Sequence, residues 1–253
     1  MTISFTRISD FIECPLLYAE KYLRRNLPPP EPHVVLGTAC HALLAVHFFG
    51  RPLSEEDQKL LDALSPVERA EVDARVQLVK DTWPAFPVRA AEANFRFELA
   101  PDIDVIGRID LIEERPDGLH VVDWKFVKPG WNALPNAADR HSVSLQASIY
   151  YLGAQRLFPA DVVSPRVHFY HVGAGGFLEQ PVDLTDRRIA ADLRTLRYYA
   201  AQIAALEGQP PSQWPYNRAA CVKGGWRCPY FDAHLECGIM EADGEGDDNY
   251  VVQ

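Results

Sequence analysis

The chain has 253 residues, 47% of them hydrophobic, and a formal net charge of −10. That length makes one large domain, or a domain with an appendage, with enough apolar surface for a core. The acidic balance excludes a protein that coats nucleic acid through bulk positive charge, but not an enzyme that grips it locally through metal ions.

No run of about 18 apolar residues occurs, so no membrane-spanning helix is expected. The first residues, MTISFTRISDFIEC, lack the basic start and apolar stretch of a secretory leader, and the expected location is the cytosol. Residues 6–24 carry Phe11, Leu17, Tyr18 and Tyr22 at roughly helical spacing, with Pro15 set to kink that helix or to leave Cys14 near a new start. PPPEP at 28–32 is a stiff connector. A second helix is expected from about Gly37 to Phe49. Two more follow, split at Ser65, where Ser65-Pro66-Val67-Glu68 is a capping box with proline at the first helical position. From Glu92 the period changes: EANFRFEL alternates, DVIGRIDLIEE is apolar and branched, and LHVVDWKFV follows a Pro116-Asp117-Gly118 turn as the second arm of a hairpin. SLQASIYYLGAQRLF returns to helical spacing, with Leu145, Ile149, Leu152 and Leu157 on its apolar side. PRVHFYHV is a strand, GFLEQPVDL a shorter one, and Asp186 to Leu206 a long helix. From Gly208 the chain is rich in Pro, Gly, Trp and Cys and reads as loops, ending in the acidic EADGEGDDNYVVQ, which is expected to be disordered. The order predicts an α/β fold. A helical N-terminal part over 1–90 carries Cys14 and His41, an α/β core spans 91–207, a cysteine-rich region 208–240 and a tail 241–253, all within one integrated domain.

Asp110 and Asp123 stand in segments that otherwise look like buried strands, with Lys125 two residues after the second acid. An Asp-x-Lys triplet alone arises about once by chance in a chain this size. Asp57-Gln58-Lys59 has the same spacing inside SEEDQKLL, an ordinary charged helix face. Context separates the two triplets. Strand alternation puts Asp123 and Lys125 on one side and Trp124 on the other, and the turn near Asp117-Gly118 lets Asp110 come level with Asp123. Two close carboxylates in a medium of low dielectric repel and resist burial. A divalent cation relieves that repulsion, and hard oxygen ligands suit Mg²⁺ or Mn²⁺. Lys125 would then lie beside the ion, placed to orient or deprotonate a water. On pattern alone, a surface hairpin with an ordinary Asp–Lys pair is the alternative.

The arrangement resembles the PD-(D/E)XK nuclease superfamily, in which an acid on one strand precedes an Asp/Glu-x-Lys on the next. Gly37-Thr38-Ala39-Cys40-His41 is similar to the Gly-x-x-x-His helix start of its RecB/AddB-like branch, which includes phage exonucleases and CRISPR-adaptation nucleases. Gln146-Ala147-Ser148-Ile149-Tyr150 is similar to that branch's Gln-x-x-x-Tyr helix, whose two polar residues share a face one turn apart. Glu92 matches the glutamate that often opens the preceding strand. The resemblance implies a restriction-endonuclease-like core sheet flanked by helices. It also implies a metal-dependent DNA nuclease, an exonuclease acting on DNA ends or single strands in recombination, repair or replication. Such an enzyme works alone or with recombination or adaptation partners. His41, Asp110, Asp123 and the backbone carbonyl of Trp124 would hold Mg²⁺ or Mn²⁺. Lys125, Asp110 and Asp123 would be catalytic, with Glu92, Gln146 and Tyr150 in support. Trp131 and Trp226 could stack on bases. Two other readings stay open: a non-catalytic DNA-binding or scaffold subunit on the same fold, and an endonuclease or RNase of the same superfamily. No Walker loop occurs, so no motor is expected in this chain.

Of the five cysteines, Cys14 precedes Pro15, while Cys221, Cys228 and Cys237 fall in CVKGGWRCPYFDAHLEC. In a reducing compartment such a set signals a metal site or isolated core thiols more often than disulfides. One early and three late resembles the iron–sulfur arrangement of the same branch. It implies a structural 4Fe-4S cluster that ties the chain ends together. Here Cys221 and Cys228 stand farther apart than in that pattern, which keeps tetrahedral zinc open, with His234 as a substitute ligand. Cys40 is expected in the core.

Overall fold

The computed structural model describes residues 1–82, 86–127, 144–173, 176–210, 213–223 and 226–231. Trp131, His234, Cys237 and the acidic tail lie outside the described residues. In chain order the elements are β1 (Thr2–Ile3), α1 (Phe5–Glu13), α2 (Pro15–Tyr18), a π-helical turn (Ala19–Leu23), α3 (Pro32–Phe49), α4 (Glu55–Asp62), α5 (Pro66–Thr82), β2 (Val88–Ala100), β3 (Ile103–Arg115), β4 (Gly118–Phe126), α6 (Gln146–Leu157), β5 (Val163–Gly173), β6 (Gly176–Asp183), α7 (Asp186–Leu206), α8 (Arg218–Cys221), β7 (Val222–Lys223) and β8 (Trp226–Arg227). They fall into two units, Met1–Phe5 with Pro29–Ala200, and Thr6–Pro28 with Ala201–Gln253.

The first unit is a mixed sheet with helices packed on it, the expected α/β architecture. β3 runs antiparallel to β2 along one edge. Its other edge is shared: β1 lies parallel to it at Asp104 and Val105, and β4 antiparallel from Leu111 to Arg115. β4 pairs parallel with β5, and β5 antiparallel with β6. Parallel neighbours cannot be joined by a tight turn, and the connection from β4 to β5 carries α6. The turn into β4 needs its glycine: Gly118 has φ +133°, and a Cβ there would meet the Val162 carbonyl oxygen at 2.5 Å.

Several boundaries differ from the periodicity, each for a local reason. α3 starts at Pro32 rather than Gly37, with Glu31 extended before it. Proline at the first helical position loses no hydrogen bond, and its fixed φ suits the helix. In residues 6–24 the second of the two outcomes expected of Pro15 holds: Cys14 is extended, because a residue before proline is pushed out of the α region, and Pro15 opens α2. β2 begins at Val88, so Glu92 lies inside the strand rather than opening it. The Ser65 box forms as read, Ser65 Oγ accepting from Glu68 N at 3.3 Å and Glu68 Oε2 accepting from Ser65 N at 2.9 Å. A second box, Ser54 with Asp57, caps α4 and commits Asp57, the acid of the surface Asp-x-Lys triplet, to that role.

α3, α4 and α5 bury Ala39, Cys40, Leu44, Leu61, Val72 and Val79 against Leu111, Val122, Trp124, Tyr170 and Val172 of the sheet. Each such side chain contributes about 1.5–3 kcal/mol relative to exposure. Cys40 is the core thiol expected of it, and burial pushes its pKa up to about 12. α6 is fitted closely to the strands. The Phe95 ring fills the space that a Cβ would need at both Gly107 and Gly153. Ser148 Oγ donates to Asp192 Oδ2 at 2.5 Å, tying α6 to α7. The second unit is organised by aromatic rings, with Tyr18 stacked on Trp214 at 5.8 Å and Phe11 edge-on to Tyr18 at 5.8 Å. Among the described residues no helix is long and apolar enough to cross a membrane.

Gly153 provides a test of the α6 fit. Alanine would gain about 1 kcal/mol of helix propensity. Its Cβ, however, would sit 2.6 and 2.7 Å from Phe95 ring atoms, and overpacking costs about 1–3 kcal/mol. Gly153→Ala is expected to lower the unfolding free energy by up to about 2 kcal/mol in urea titrations; a gain in stability would contradict the packing.

Candidate active site

The site grows out of a break in the sheet. The β3–β4 ladder pairs Leu111 with Val122 and stops there, so that Asp110 and Asp123 stand level where the strands part. Beyond the last pair, the Trp124 backbone N–H donates to Asp110 Oδ2 at 2.8 Å. On the other edge of β3, Ala91 pairs with Leu111 and Ala93 with Ile109, which sets Glu92 level with Asp110. Acids on three neighbouring strands therefore stand in a row. Glu92 has a left-handed backbone, φ 44°, inside β2. A non-glycine residue held there costs on the order of 1–3 kcal/mol, a strain that collects at functional sites.

His41 arrives from α3. Its Nδ1 lies 3.5 Å from Asp110 Oδ2, and its ring stands edge-on to Phe126. One donor atom each from His41, Glu92 and Asp110 lies within 4.8 Å of the others. Ligands about 2.1 Å from a common Mg²⁺ stand at most about 4.2 Å apart, so a small contraction would complete a site of hard oxygens and one imidazole.

Asp123 stands outside that trio and is 1% exposed. Its Oδ2 forms an ion pair with Lys125 Nζ at 2.6 Å, and its Oδ1 accepts from Gln146 Nε2 at 3.3 Å. The same amide donates to Tyr150 Oη at 2.7 Å. Trp124 points the other way, its ring packed on Tyr170 and Phe177. The residues brought together are thus His41, Glu92, Asp110, Asp123, Lys125, Gln146 and Tyr150. Sequence reasoning put Asp123 among the metal ligands and Glu92 in support; the close trio has Glu92 in it instead.

The electrostatics follow from burial of like charges. Burial pushes the Asp123 carboxyl up to about 6 against the pull of Lys125, with the charge of Asp110 adding to the rise. Burial also raises Asp110, opposed by Lys125 and the Trp124 N–H, and raises Glu92, opposed by Arg108. It lowers His41, which favours the neutral imidazole that a cation needs. Tyr150 is raised well above its ordinary range by burial and by the charges of Asp123 and Asp110.

Two residues escaped the sequence reading. Arg108 Nε pairs with Glu92 Oε2 at 2.8 Å. Arg51 follows the end of α3. Both line a cleft of ≈ 340 Å³ that opens beside His41 and Glu92. Arg108 lies two residues before Asp110, a spacing that strand alternation could have used; Arg51 has no local signal.

In the second unit, Asn217 joins two of the predicted cysteine ligands. Its N–H donates to Cys14 Sγ at 3.4 Å, and Cys221 Sγ donates to its carbonyl at 3.5 Å. Cys228 N donates to Cys221 O at 2.8 Å. Cys14 and Cys221 are buried, and burial, with the neighbouring thiols, raises Cys221 and Cys228.

An acid on one strand, Asp-x-Lys on the next and a mixed sheet between helices together define a nuclease of the PD-(D/E)XK class. The profile of the PD-(D/E)XK nuclease superfamily matches residues 2–232, and the chain belongs to that superfamily. Its fold is similar to that of a protein from Eubacterium rectale named "Putative exonuclease", with a TM-score of 0.57 and 10% identity over 82% of this chain and 81% of that one. A second solved structure, SSO0001, is 14% identical over 81% of this chain and 88% of that one, with a TM-score of 0.36 that is too low to bear on the fold. No curated protein matches the sequence.

Asp123 gives the site a pH signature. Its native carboxyl titrates near about 6, against about 3.9 in an unfolded chain, so the native state holds the extra proton between those values. The contribution of this group to stability therefore falls as pH rises through that window, by up to about 3 kcal/mol. With chelator present, the unfolding free energy of Asp123→Asn minus that of wild type should grow by about 2–3 kcal/mol from about pH 4 to about pH 7. A pH-independent difference would show that Asp123 ionises normally.

Proposed function

We propose that the protein is a metal-dependent deoxyribonuclease of the RecB/AddB-like branch, an exonuclease acting on DNA ends or single strands. One observation carries this: three acids, Asp123 buried and Glu92 and Asp110 half-buried, stand level on adjacent strands, with Lys125 against one and His41 against another. The exonuclease assignment also draws on the fold shared with the Eubacterium rectale protein.

His41, Glu92 and Asp110, with Asp123 and the Trp124 carbonyl beside them, would hold Mg²⁺ or Mn²⁺. The ion, when bound, supplies Lewis-acid activation of a water and neutralisation of charge at the phosphate. The chain's own groups do the positioning. Trp124 N–H fixes one Asp110 oxygen. Gln146 takes one oxygen of Asp123 and leaves the other to Lys125. The Lys125 ammonium, held against Asp123 at 2.6 Å, would orient the attacking water and offset the charge that builds on the phosphate oxygens. Tyr150, kept protonated by burial, anchors Gln146.

Lys125→Ala should reduce cutting of end-labelled DNA by about 10²–10⁴-fold with Mg²⁺ or Mn²⁺, and Asp123→Ala should abolish it without unfolding the chain. Gln146→Ala, which loses the hydrogen bond that orients Asp123, should lower metal affinity by about 10–100-fold. Wild-type activity that survives chelator would overturn the metal mechanism. Blocking each terminus in turn separates exonuclease from endonuclease action, and an RNA strand tests the sugar preference.

Cys14, Cys221, Cys228 and Cys237 are proposed to bind a structural 4Fe-4S cluster, with zinc as the alternative. What supports this is that Asn217 bridges Cys14 and Cys221 and that the Cys228 amide bonds to Cys221, since four thiolates suit either group. Anaerobically purified protein should contain iron and sulfide and absorb in the visible region, and Cys14→Ser should lose both. Zinc without iron would assign the alternative.

A further inference from the structure

Apolar packing places α6 on the sheet, with Phe95 against Gly153, but such contacts have little direction. The first turn of α6 needs direction. Gln146 meets Asp123 at 3.3 Å and Tyr150 at 2.7 Å with one amide, so a small slide or rotation of that turn breaks the contact with Asp123. Directed contacts to this turn come from α7. Asp192 is at their centre. Its Oδ2 accepts from Ser148 Oγ at 2.5 Å, and Ser148 is fully buried. The same oxygen stands 3.7 Å from Arg188 Nε, one helical turn earlier on α7. Arg188 Nη2 donates to the Ser144 carbonyl at 3.4 Å, and Ser144 Oγ accepts from the Gln146 backbone N–H at 3.1 Å.

The contacts therefore meet α6 on both sides of Gln146, at Ser144 before it and at Ser148 after it. α7 is itself fixed to the sheet at two levels. At its start, Leu184 N donates to the Pro165 carbonyl of β5 at 2.7 Å, and Thr185 Oγ1 accepts from Arg188 N at 3.2 Å. Farther along, Arg197 Nε donates to the Leu99 carbonyl of β2 at 3.0 Å. An arginine and an aspartate one turn apart on a solvated helix face contribute little. Here each of them also bonds a neighbouring helix, and a hydrogen bond from a buried hydroxyl to a carboxylate is among the stronger and more directional contacts.

We infer that Arg188 and Asp192 are positioning residues of the active site: from α7 they hold the first turn of α6 so that the Gln146 amide reaches Asp123. They act through Gln146 and not on the ion. The inference rests on the metal-nuclease reading above, and it extends the site to a helix outside the row of acids.

The test is Mn²⁺ affinity by titration calorimetry, without nucleic acid. The proteins are wild type, Arg188→Ala, Asp192→Ala, Gln146→Ala, and the two pairs that combine Gln146→Ala with each change on α7. Both α7 side chains are partly exposed, and circular dichroism checks that the variants fold. Loss of Asp192 removes a negative charge and loss of Arg188 a positive one, so a long-range charge effect would shift Mn²⁺ affinity in opposite directions. Positioning predicts that both weaken it, by about tenfold, the lower end of what loss of a residue behind a metal ligand costs. In the Gln146→Ala background neither change should weaken it further. Opposite shifts, an unchanged affinity, or an equal further loss without Gln146 overturns the inference, while Mn²⁺ binding by wild type leaves the metal reading intact. Ser148→Ala removes one hydroxyl from the same contacts and should weaken Mn²⁺ binding in the same direction. It decides the question if Asp192→Ala does not fold, and an unchanged affinity there overturns the inference as well. A wild type that binds no Mn²⁺ overturns the metal reading and the inference with it.

Discussion

Repulsion between carboxylates drawn wholly or partly out of water is the constraint around which the first unit is arranged. Two unit charges about 4 Å apart interact by about 4 kcal/mol even at an effective dielectric of 20. Yet β2, β3 and β4 bring Glu92, Asp110 and Asp123 level. The β3–β4 ladder ends just short of that level, and the Trp124 amide of β4 turns to the Asp110 carboxylate. The same sheet treats a structural acid differently. Glu113, fully buried a few residues along β3, is clasped by Arg115 through Nε and Nη2 at 2.9 and 2.8 Å. Asp110 has no guanidinium of its own among the described residues, only the Trp124 N–H and the edge of an imidazole. An acid left partly unanswered in low dielectric is poised for a cation.

The rest of the unit serves to hold that arrangement. The helical layer of α3 to α5 fixes His41 through Ala39, Cys40 and Leu44, which lock one face of α3 onto Leu111 and Trp124. From another element, α6 delivers Gln146 and Tyr150. Its position depends on Phe95 lying in the hollow left by two glycines, with the Phe95 and Tyr150 rings edge to face at 6.1 Å. Strain at Glu92 fits the same picture: a backbone held at φ 44° persists only where its surroundings over-determine it. A loosely packed scaffold would relax Glu92 to an ordinary strand conformation.

Much of this was legible from local patterns. Alternation in VVDWKF separated Asp123 and Lys125 from Trp124, and the register agrees, because side-chain direction in a strand depends on nothing beyond the strand. The Ser65 box and the span of α7 are likewise short-range. The misplaced start of α3 was also a local matter, in which proline chemistry outweighed apolar spacing, and the start that Pro15 makes after Cys14 was expected on the same ground. Glu92 was different. Its letter stood in an alternating run, and neither its left-handed backbone nor its place beside His41 can be read from that pattern. Arg51 was hidden because it comes to the cleft through the path of the chain after α3.

By itself, the sequence determined the kinds of element, their order and the side chains able to carry the chemistry, since periodicity, capping and donor type are properties of neighbouring residues. Tertiary structure decided which donors share a centre. It put Glu92 with His41 and Asp110, gave Asp123 to Lys125 and Gln146, and gathered Cys14 with Cys221 across nearly the whole chain. Those choices depend on strand register, a backbone torsion and long loop closures. Each is settled by packing among residues far apart in sequence, where no local pattern can report it.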